Sequence, residues 1–303
     1  MSEEHHDLKV MVWNTKICAP RSTFDSKSWY QTKRILFNLI LNYTFDFICL
    51  IEVDEAVVTH LKRMFNRFYP LYDIANGTQK HGKTRFDTCI IYKKKFVLIP
   101  TENGNDCQST DLSVKGIVSK SGQKYQFLDQ EFNNEVLNFV LVHWPSLLTP
   151  DIITIRNRTA ENLRYHIDEW FKGDEKIIIA GDFNTEPHCT TLYEQLKAFR
   201  EKESVLRSKS YRYFYNPSWC FNHTLPPCST LINSEIYGTY FYKNKKEKYW
   251  FNFDQVIFSK ELLYNQNGWK YQENSLEIFG LFDLTSAETI FDHLPITFNL
   301  ERH

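Results

Sequence analysis

The chain has 303 residues, of which 42% are hydrophobic and 16% aromatic, and its 36 Lys and Arg residues nearly balance its 37 Asp and Glu residues, for a formal charge of -1. This composition is typical of a chain that folds on its own and unlike that of a disordered one. The balanced charge excludes a global basic field of the kind that attracts nucleic acid non-specifically, so any site for a polyanion has to be local.

The first half of the chain predicts alternating strands and helices. Ile35, Leu36 and Leu39 recur at helical spacing, whereas residues 45–51 form a short apolar run typical of a buried strand. In chain order we expect strands at 8–13 and 45–51 with a helix at about 29–42 between them, a helix at 55–68, a loop around 76–82, and a hairpin of strands 86–92 and 96–99.

The second half continues this alternation and adds one long segment without periodicity. In chain order we expect a polar loop or an irregular edge at 101–113, a buried strand at 136–143, a helix at 152–171 with Gly173 as its C-cap, a buried strand at 176–180, a helix at 192–199, a hairpin of 237–242 and 249–258, and a closing strand at 294–300. Residues 200–235 are rich in Arg, Lys, Tyr and Pro and predict a functional loop or insertion.

The cysteines, the apolar runs and the N-terminus indicate the compartment. The seven cysteines include no Cys-x-x-Cys pair, which argues against a disulfide framework and against a zinc ribbon. No apolar run approaches the roughly 20 residues of a membrane helix. Residues 1–7 predict a flexible tail and lack the basic and apolar segments of a secretion signal. We therefore expect a cytoplasmic protein with reduced thiols and no membrane span.

Polar side chains repeatedly stand at the ends of the predicted buried strands. Asn14, Glu52 and His143 occupy such positions, where active sites collect in α/β folds. One such residue alone is as often a cap or a satisfied polar group. The Gly-Asp-Phe-Asn run at 181–184 is more specific, because a strand delivers a carboxylate and an amide side by side and the glycine allows close approach to the backbone.

Together with five further motifs, this run resembles the endonuclease/exonuclease/phosphatase superfamily, the fold of pancreatic-type deoxyribonucleases and abasic-site endonucleases. The five motifs, in the family's order, are Trp13-Asn14-Thr15, Ile51-Glu52, His143-Trp144-Pro145-Ser146, Phe253-Asp254-Gln255-Val256 and Asp292-His293-Leu294-Pro295. The resemblance covers residues from about 8 to 300. It implies a single catalytic domain at 8–303, folded as a four-layer α/β sandwich in which two mixed β-sheets pack face to face with helices outside.

The resemblance also implies a metal site. Mg²⁺ or Mn²⁺ would be held by Glu52, with Asn14 and Asp292 nearby, directly or through water. Hard oxygen ligands and retained waters suit magnesium at a phosphate.

The family's catalytic residues carry over onto five positions of this chain. Asp182 would position or deprotonate the attacking water, and Asn184 would orient that water and the phosphate. His293 would contact the scissile phosphate, with its charged form favoured by Asp254. His143 would donate a hydrogen bond or a proton toward the leaving oxygen. Phosphoryl transfer needs an activated water, neutralised charge and in-line positioning, and this set with a metal supplies all three.

Three departures from the family's pattern narrow the expected substrate. Phe291 stands where members usually have Ser before the final Asp-His pair, which can reshape the phosphate pocket. His143 stands where abasic-site endonucleases usually place Tyr, so abasic-site repair is disfavoured. Residues 250–255 lack the Trp-Cys-x-Asp-Arg signature of inositol-polyphosphate phosphatases, so inositol lipids are disfavoured.

Segment 197–219 interleaves basic and aromatic residues. Basic groups that bind phosphates beside aromatic rings that stack bases would form a platform for nucleic acid, with Arg207, Lys209 and Arg212 as its phosphate contacts. A partly buried insertion with a charged face explains the pattern equally well. Arg85 precedes a strand and either contacts a phosphate or forms an ion pair.

These residues predict a divalent-metal-dependent phosphodiesterase, and the leading hypothesis is a nuclease that hydrolyses DNA or RNA. The alternative is a phosphoesterase for small phosphate esters, nucleotides or lipid head groups, and a non-enzymatic binding module is a third class. The near-neutral charge favours a small substrate, whereas segment 197–219 favours nucleic acid, and the sequence leaves both open.

Overall fold

The computed structural model describes residues 6–18, 26–81, 84–132, 134–209, 212–222, 228–230, 236–243, 248–264, 268–285 and 289–302. Its helices are α1 (Ser26–Tyr43), α2 (Glu55–Phe68), α3 (Ile152–Trp170) and α4 (Lys202–Arg207), with a π-helical turn at Thr191–Leu196 and 3₁₀ turns at Pro217–Asn222 and Lys260–Leu262. Within these ranges, no helix is both long and apolar enough to cross a membrane.

The strands of the described ranges form two large sheets and two short ribbons. In chain order they are β1 (His6–Asn14), β2 (Phe47–Ile51), β3 (Tyr72–Asn76), β4 (Gln79–His81), β5 (Thr84–Phe86), β6 (Thr88–Lys93), β7 (Phe96–Leu98), β8 (Gln108–Val114), β9 (Ile117–Asp129), β10 (Glu135–His143), β11 (Lys176–Asp182), β12 (Ala198–Phe199), β13 (Phe214–Tyr215), β14 (Cys228–Thr230), β15 (Tyr240–Lys243), β16 (Lys248–Phe251), β17 (Asp254–Ser259), β18 (Lys270–Tyr271), β19 (Glu277–Gly280) and β20 (Ile296–Arg302).

Both large sheets are mixed. Sheet 1 has the order β14-β19-β20-β1-β2-β6-β3 with β18 beside β20, and sheet 2 has the order β12-β13-β17-β11-β10-β9-β7 with β8 beside β9. The pairs β1–β2 and β10–β11 are parallel, and α1 and α3 provide the crossovers that parallel pairs need. The ribbons are β4–β5 and β15–β16.

Strand β11 shows how the layers are separated. Alternate residues of a strand point to opposite faces of its sheet. Ile178 and Ala180 lie in the core between the two sheets, whereas Ile177 and Ile179 lie in a second core with Leu163 of α3. The strand is therefore buried on both faces, which explains its continuous apolar run.

The two sheets pack face to face with helices on the outside. Phe47 of sheet 1 contacts Phe127 and Phe139 of sheet 2, with ring centroids 5.1 and 4.8 Å apart. Helix α1 contacts α2 through Phe37 and Phe68, whose ring centroids are 6.0 Å apart, and both helices bury apolar residues in the core that includes sheet 1. The predicted four-layer sandwich is confirmed.

The hairpin predicted for 86–92 and 96–99 is wrong. Strand β6 pairs with β2 and β3 in sheet 1, whereas β7 pairs with β9 in sheet 2, so the chain crosses between the sheets here. Lys93 and Lys95 in this connection place Nζ 3.0 and 3.1 Å from Asp46 Oδ1. Two strands joined by a short polar connection show the same local sequence pattern whether they pair with each other or lie in different sheets. The strands that pair with β6 and β7 lie elsewhere in the chain, so the local pattern does not identify them.

Several predicted boundaries also change. Strand β1 begins at His6, so residues 6 and 7 belong to sheet 1 rather than to the tail, while residues 1–5 lie outside the described ranges. Strand β8 occupies part of the loop predicted at 101–113, and β4 lies within the loop predicted at 76–82. A π-helical turn and β12 replace the helix predicted at 192–199, and α3 has Phe171 rather than Gly173 as its C-cap. Strand β8 pairs irregularly with β9, in agreement with the irregular edge predicted as the alternative for 101–113. The strand predicted at 249–258 divides into β16, which pairs with β15, and β17, which lies in sheet 2. The other predicted elements are confirmed with shifted ends.

Residues 200–235 are only partly an insertion. Strand β13 pairs with β17 within sheet 2, and β14 pairs with β19 at the edge of sheet 1. Residues 210–211, 223–227 and 231–235 lie outside the described part of the chain. The segment therefore contributes strands to both sheets instead of forming a separate platform.

Candidate active site

The carboxyl ends of the two parallel pairs meet at one rim of the sandwich. Asn14 ends β1 and Glu52 follows β2, while His143 and Asp182 end β10 and β11. Strand β17 runs antiparallel to β11 and begins at this rim, with Asp254 opposite Asp182. The fold therefore brings five of the predicted site residues together from distant parts of the sequence.

Glu52 carries a carboxylate oxygen without a partner. Its Oε1 accepts a hydrogen bond from Asn14 Nδ2 at 3.3 Å, whereas its Oε2 is buried and has no hydrogen-bond partner among the described residues. The backbone φ of Glu52 is 59°, in the left-handed region that residues with side chains rarely adopt. Burial raises the pKa of Glu52. A strained backbone and an unpaired buried oxygen are features of residues that serve a ligand.

The amide of Asn14 has a defined orientation. Its Oδ1 accepts a hydrogen bond from the Lys16 backbone N–H at 3.1 Å, and its Nδ2 donates to Glu52 and to Asp182 Oδ2, the latter at 3.1 Å. The oxygen faces a hydrogen-bond donor and the nitrogen faces two carboxylates, so the positions of the amide oxygen and nitrogen follow from their hydrogen-bond partners. Asn14 therefore positions the carboxylates, and this orientation argues against the expectation that its oxygen binds a metal directly.

Asp182 and Asn184 form a rigid unit. Asp182 Oδ1 accepts a hydrogen bond from the Asn184 backbone N–H at 2.8 Å, and its Oδ2 accepts one from Asn184 Nδ2 at 3.1 Å. Asn184 Nδ2 also donates to the carbonyl of Trp144 at 3.0 Å, and its φ is 50°. The carboxylate is therefore held by its neighbours with little freedom to rotate.

His293 is paired with Asp254. Its Nδ1 lies 2.8 Å from Asp254 Oδ2, and its Nε2 lies 3.8 Å from Asp182 Oδ2. Burial alone would lower the pKa of His293, but Asp254 and then Asp182 outweigh burial and raise the pKa to about 10. His293 therefore carries its proton at neutral pH.

His143 is held by two residues that sequence analysis did not identify. Its Nδ1 lies 2.8 Å from Asp87 Oδ2, and Lys120 Nζ lies 2.6 Å from Asp87 Oδ1. Burial would lower the pKa of His143, but the charge of Asp87 outweighs it and the pKa is raised. Burial would raise the pKa of Asp87, but His143 and Lys120 hold it well below its usual value.

A pattern in the sequence could have revealed Asp87. It precedes β6, which runs antiparallel to β2 with Thr88 opposite Ile51, so the start of β6 lies beside the end of β2. When two neighbouring strands are antiparallel, the start of one lies beside the end of the other. A carboxylate at the start of a strand therefore lies at the same rim as polar residues at the end of its neighbour, and Asp254 at the start of β17 is a second example. Lys120 lies between two serines in β9, and nothing in its local sequence marks it.

The two imidazole rings converge on one carboxylate. His143 Nε2 lies 4.0 Å from Asp182 Oδ2 and 3.6 Å from Glu52 Oε1, and His293 Nε2 approaches Asp182 from its own side. One general base and two proton-bearing rings around one point can remove a proton from water, donate one to a leaving oxygen and stabilise an oxyanion.

Glu52 is the best candidate ligand for a metal ion. No group of three or more His, Cys, Asp or Glu in the described ranges is arranged to hold a metal by itself. Mg²⁺ is commonly bound through one or two carboxylates, with waters and phosphate oxygens completing its coordination. The unpaired Oε2 of Glu52 fits such an ion. Asp292, the other predicted acidic ligand, instead pairs its Oδ2 with Lys16 Nζ at 2.6 Å.

The predicted substrate contacts of segment 197–219 lie away from this rim. Arg212 donates hydrogen bonds to the backbone carbonyls of Phe171 and Gly173, after the end of α3, so its guanidinium has a structural role. Lys260, which follows the end of β17 farthest from Asp254, donates a hydrogen bond from Nζ to the backbone carbonyl of Ser208 at 3.0 Å. Ser208 lies between Arg207 and Lys209. Strand β17 has six residues, so this end lies roughly 17 Å from Asp254.

The phosphate platform predicted for segment 197–219 stays a prediction for Arg207 and Lys209, whereas Arg212 is engaged with backbone carbonyls. Arg207 lies 3.9 Å from Glu203 and is largely exposed, as is Lys209. Arg85 is exposed on β5, two residues before Asp87, and remains near the rim. Of the four predicted basic contacts, Arg85 is thus the one that the fold leaves close to the catalytic residues.

An aromatic strip extends from His293 along the ribbon β15–β16. The ring of Tyr240 lies 4.6 Å from the His293 ring and stacks on Phe253 at 5.3 Å. Phe253 stacks on Phe251 at 4.7 Å, and Phe251 contacts Tyr249 at 6.3 Å, all between centroids. Tyr249 is 48% exposed. The strip therefore leads from the catalytic histidine to the surface.

A small pocket adjoins the same rim. It has a volume of about 170 Å³, and residues that line it include Lys16, Tyr240, Tyr242, Thr289 and Asp292. Its walls combine aromatic faces with charged and hydroxyl groups. Tyr240, which lines the pocket, also lies against the His293 ring, so the pocket adjoins the candidate site.

Comparisons with known proteins agree with this architecture. The profile of the Endonuclease/Exonuclease/phosphatase family matches residues 86–298. A search of curated protein sequences finds no match.

Three similar structures illustrate the range of proteins that share this fold. A mannosyl-6-phosphatase from Bacteroides thetaiotaomicron is 15% identical with a TM-score of 0.61, covering 97% of this chain and 99% of its own. The human Nocturnin catalytic domain with a bound sulfate anion is 15% identical, with a TM-score of 0.58 and coverage of 98% and 95%. D. rerio TDP2 complexed with a single strand DNA product is 14% identical, with a TM-score of 0.57 and coverage of 97% and 98%. At these identities the likeness establishes the fold.

Proposed function

Because the chain belongs to the endonuclease/exonuclease/phosphatase family, we propose that it is a divalent-metal-dependent phosphodiesterase and that it acts as a nuclease on DNA or RNA. The observation that carries the proposal is the convergence of two carboxylate-held histidines on Asp182. Hydrolysis of a phosphodiester needs a base for the water, an acid for the leaving oxygen and positive charge at the phosphate. The residues at this rim supply each of these.

Each residue has a role that follows from its contacts. Asp182 accepts the proton of the attacking water, which Asn184 helps to orient. His293, charged through its pairing with Asp254, donates a hydrogen bond to a phosphate oxygen. His143 donates a proton from Nε2 to the leaving oxygen. A Mg²⁺ or Mn²⁺ ion at Glu52 would neutralise charge that develops on the phosphate oxygens.

The aromatic strip supports nucleic acid as the substrate. Base stacking on exposed aromatic rings is tolerant of sequence and contributes about 1–3 kcal/mol per base. Tyr249 offers such an exposed ring, and the partly buried Tyr240 lies between the ribbon and His293. TDP2, with its single strand DNA product, has the same fold. In this proposal the aromatic strip, rather than segment 197–219, binds the bases of the nucleic acid.

The pocket beside Asp292 favours a second candidate, a phosphoesterase for small esters. The pocket volume of about 170 Å³ lies below the roughly 300–1,000 Å³ of sites for drug-sized ligands, and charged and aromatic side chains bound it, so it would admit only a small group. One of the similar structures is a mannosyl-6-phosphatase, which is named for a small phosphorylated sugar. Substrate size therefore separates the two candidates.

The deciding experiment compares plasmid DNA, single-stranded DNA, RNA, bis(p-nitrophenyl) phosphate and a sugar phosphate, with Mg²⁺ or Mn²⁺ and with excess chelator. We expect cleavage of at least one polynucleotide, loss of activity in chelator and restoration by added ion. Hydrolysis of the sugar phosphate alone would favour the second candidate, and full activity in chelator would contradict the metal dependence.

Tyr249→Ala tests the strip. It should weaken binding of single-stranded DNA about tenfold, the loss of one stacked base, while hydrolysis of bis(p-nitrophenyl) phosphate stays unchanged. Tyr165→Ala, which removes an exposed tyrosine from α3, and the double variant Arg207→Ala with Lys209→Ala serve as controls and should bind DNA normally. Equal losses in the controls would contradict the role of the strip.

A further inference from the structure

Lys16 places a positive charge at the catalytic rim that none of the roles above uses. It follows β1 by two residues, its φ is 54°, and its backbone N–H is held by Asn14 Oδ1. Its Nζ lies 2.6 Å from Asp292 Oδ2. The Lys16 backbone is thus bound to Asn14, which orients Glu52, and the Lys16 side chain contacts Asp292, which precedes His293.

The acidic residues of the rim differ in what neutralises them. Asp182 accepts hydrogen bonds from Asn14 and Asn184. Asp254 faces His293, and Asp87, also at this rim, faces His143 and Lys120. Asp292 faces Lys16. Glu52 and Asp254 each keep a buried oxygen with no partner in the described part of the chain, but the other oxygen of Asp254 pairs with the charged ring of His293, whereas that of Glu52 accepts a hydrogen bond from the neutral amide of Asn14.

We propose that Lys16 is a built-in cation that occupies Asp292, so that the site takes one divalent ion, at Glu52, and Asp292 is not a ligand of that ion. A short charge-assisted contact such as that of Lys16 with Asp292 competes directly with a metal for the same oxygen. Two cations at one carboxylate repel each other, so the ammonium group excludes an ion from the Asp292 side. Glu52 keeps Oε2 without a partner, and His143 Nε2, which approaches its other oxygen, stays 3.6 Å away, beyond hydrogen-bonding distance.

This inference rests on the metal dependence proposed above, and binding of Mn²⁺ measured by titration calorimetry tests it without reference to turnover. The wild-type protein should bind one equivalent of Mn²⁺, Glu52→Gln should bind none, and Asp292→Asn should change the dissociation constant by less than about threefold. Lys16→Met should bind Mn²⁺ about tenfold more tightly, because it frees a second carboxylate. The double variant Lys16→Met with Asp292→Asn should lose that gain.

The control is Lys115→Met, which removes one positive charge from an exposed pair with Asp151 and should leave the dissociation constant unchanged. If Asp292→Asn weakens Mn²⁺ binding tenfold or more, or if Lys16→Met does not tighten it, the role of Lys16 is wrong although the metal dependence survives. If neither the wild-type protein nor Lys16→Met binds Mn²⁺, both proposals are overturned. Binding to Lys16→Met alone would contradict the proposal that the wild-type site takes an ion at Glu52.

Discussion

At the scale of single residues, each of the two histidines that we propose as catalytic is oriented by a carboxylate. Asp254 and Asp87 accept hydrogen bonds from Nδ1 of His293 and His143, so both rings present Nε2 to Asp182. This arrangement selects the tautomer and holds the ring before any substrate arrives. We therefore expect Asp182 and His293 to affect the rate of hydrolysis more than the stability of the fold.

Asp182→Asn and His293→Ala should each lower the rate of hydrolysis at least ~10²-fold, because they remove a positioned base and a charged hydrogen-bond donor. The melting temperature should change little. The measurement pairs turnover of the best substrate with thermal unfolding, and Asp168→Asn on the exposed face of α3 is the control. A fall in melting temperature that accounts for the lost activity would mark both groups as structural.

Asp87→Asn should reduce the free energy of unfolding at pH 7 by about 2 kcal/mol, since it removes a buried hydrogen-bonded charge. The pKa of Asp87 is lower in the folded protein than in the unfolded chain, so its contribution is fully present above about pH 4 and fades as the pH falls further. Urea unfolding at pH 7 and pH 3 should therefore show a smaller difference between variant and wild type at pH 3. A constant difference at both values would contradict this assignment.

At the scale of the elements, the junction of β10 and β11 depends on one glycine. Gly181 has a φ of 138°, and a Cβ at this position would lie 2.1 Å from the carbonyl oxygen of Val142. The two strands can therefore approach closely enough to set His143 beside Asp182 because position 181 lacks a side chain. The catalytic rim depends on this close approach.

Gly181→Ala should destabilise the protein by about 3 kcal/mol, since it combines backbone strain with a clash against backbone atoms. Gly104→Ala is the matched control: Gly104 also has a positive φ, 76°, but no atom within 4 Å of the added Cβ, so it should cost about 1 kcal/mol. Urea unfolding of both variants measures the difference. Equal costs would mean that the strand contact relaxes freely.

At the scale of the whole molecule, the two sheets share one core. Phe47 reaches from sheet 1 to Phe127 and Phe139 of sheet 2, and it is fully buried. Because the catalytic residues come from both sheets, the site exists only when the sheets are packed together. Unfolding of either sheet would therefore abolish activity.

Phe47→Ala should cost about 3–5 kcal/mol through the cavity between the sheets, and it should lower the unfolding midpoints seen by far-UV and near-UV circular dichroism together. Tyr30→Ala, at an exposed position of α1, should leave both midpoints unchanged. Separate transitions for the two probes would show that the sheets unfold independently.

Local patterns and short motifs predict the family and fold class, three of the four described α-helices, about half of the described strands and the set of polar residues at the strand ends, but not β9, the longest described strand. These features are local: a buried strand is a continuous apolar run, and a motif such as the Gly-Asp-Phe-Asn run at 181–184 keeps its chemistry in adjacent residues. Such patterns and motifs predict the lengths of α2 and β10, and they identify Asp182 and His293 as candidate site residues.

The tertiary structure decided which partner each charged group receives. Asp87 and Lys120 reach His143 from 56 and 23 residues away, Arg212 turns its guanidinium to backbone carbonyls instead of the surface, and Lys16 meets Asp292 from the other end of the chain. The crossing of the chain between β6 and β7 has the same origin. Pairing at such separations depends on how the sheets are stacked, and short-range periodicity carries no information about stacking.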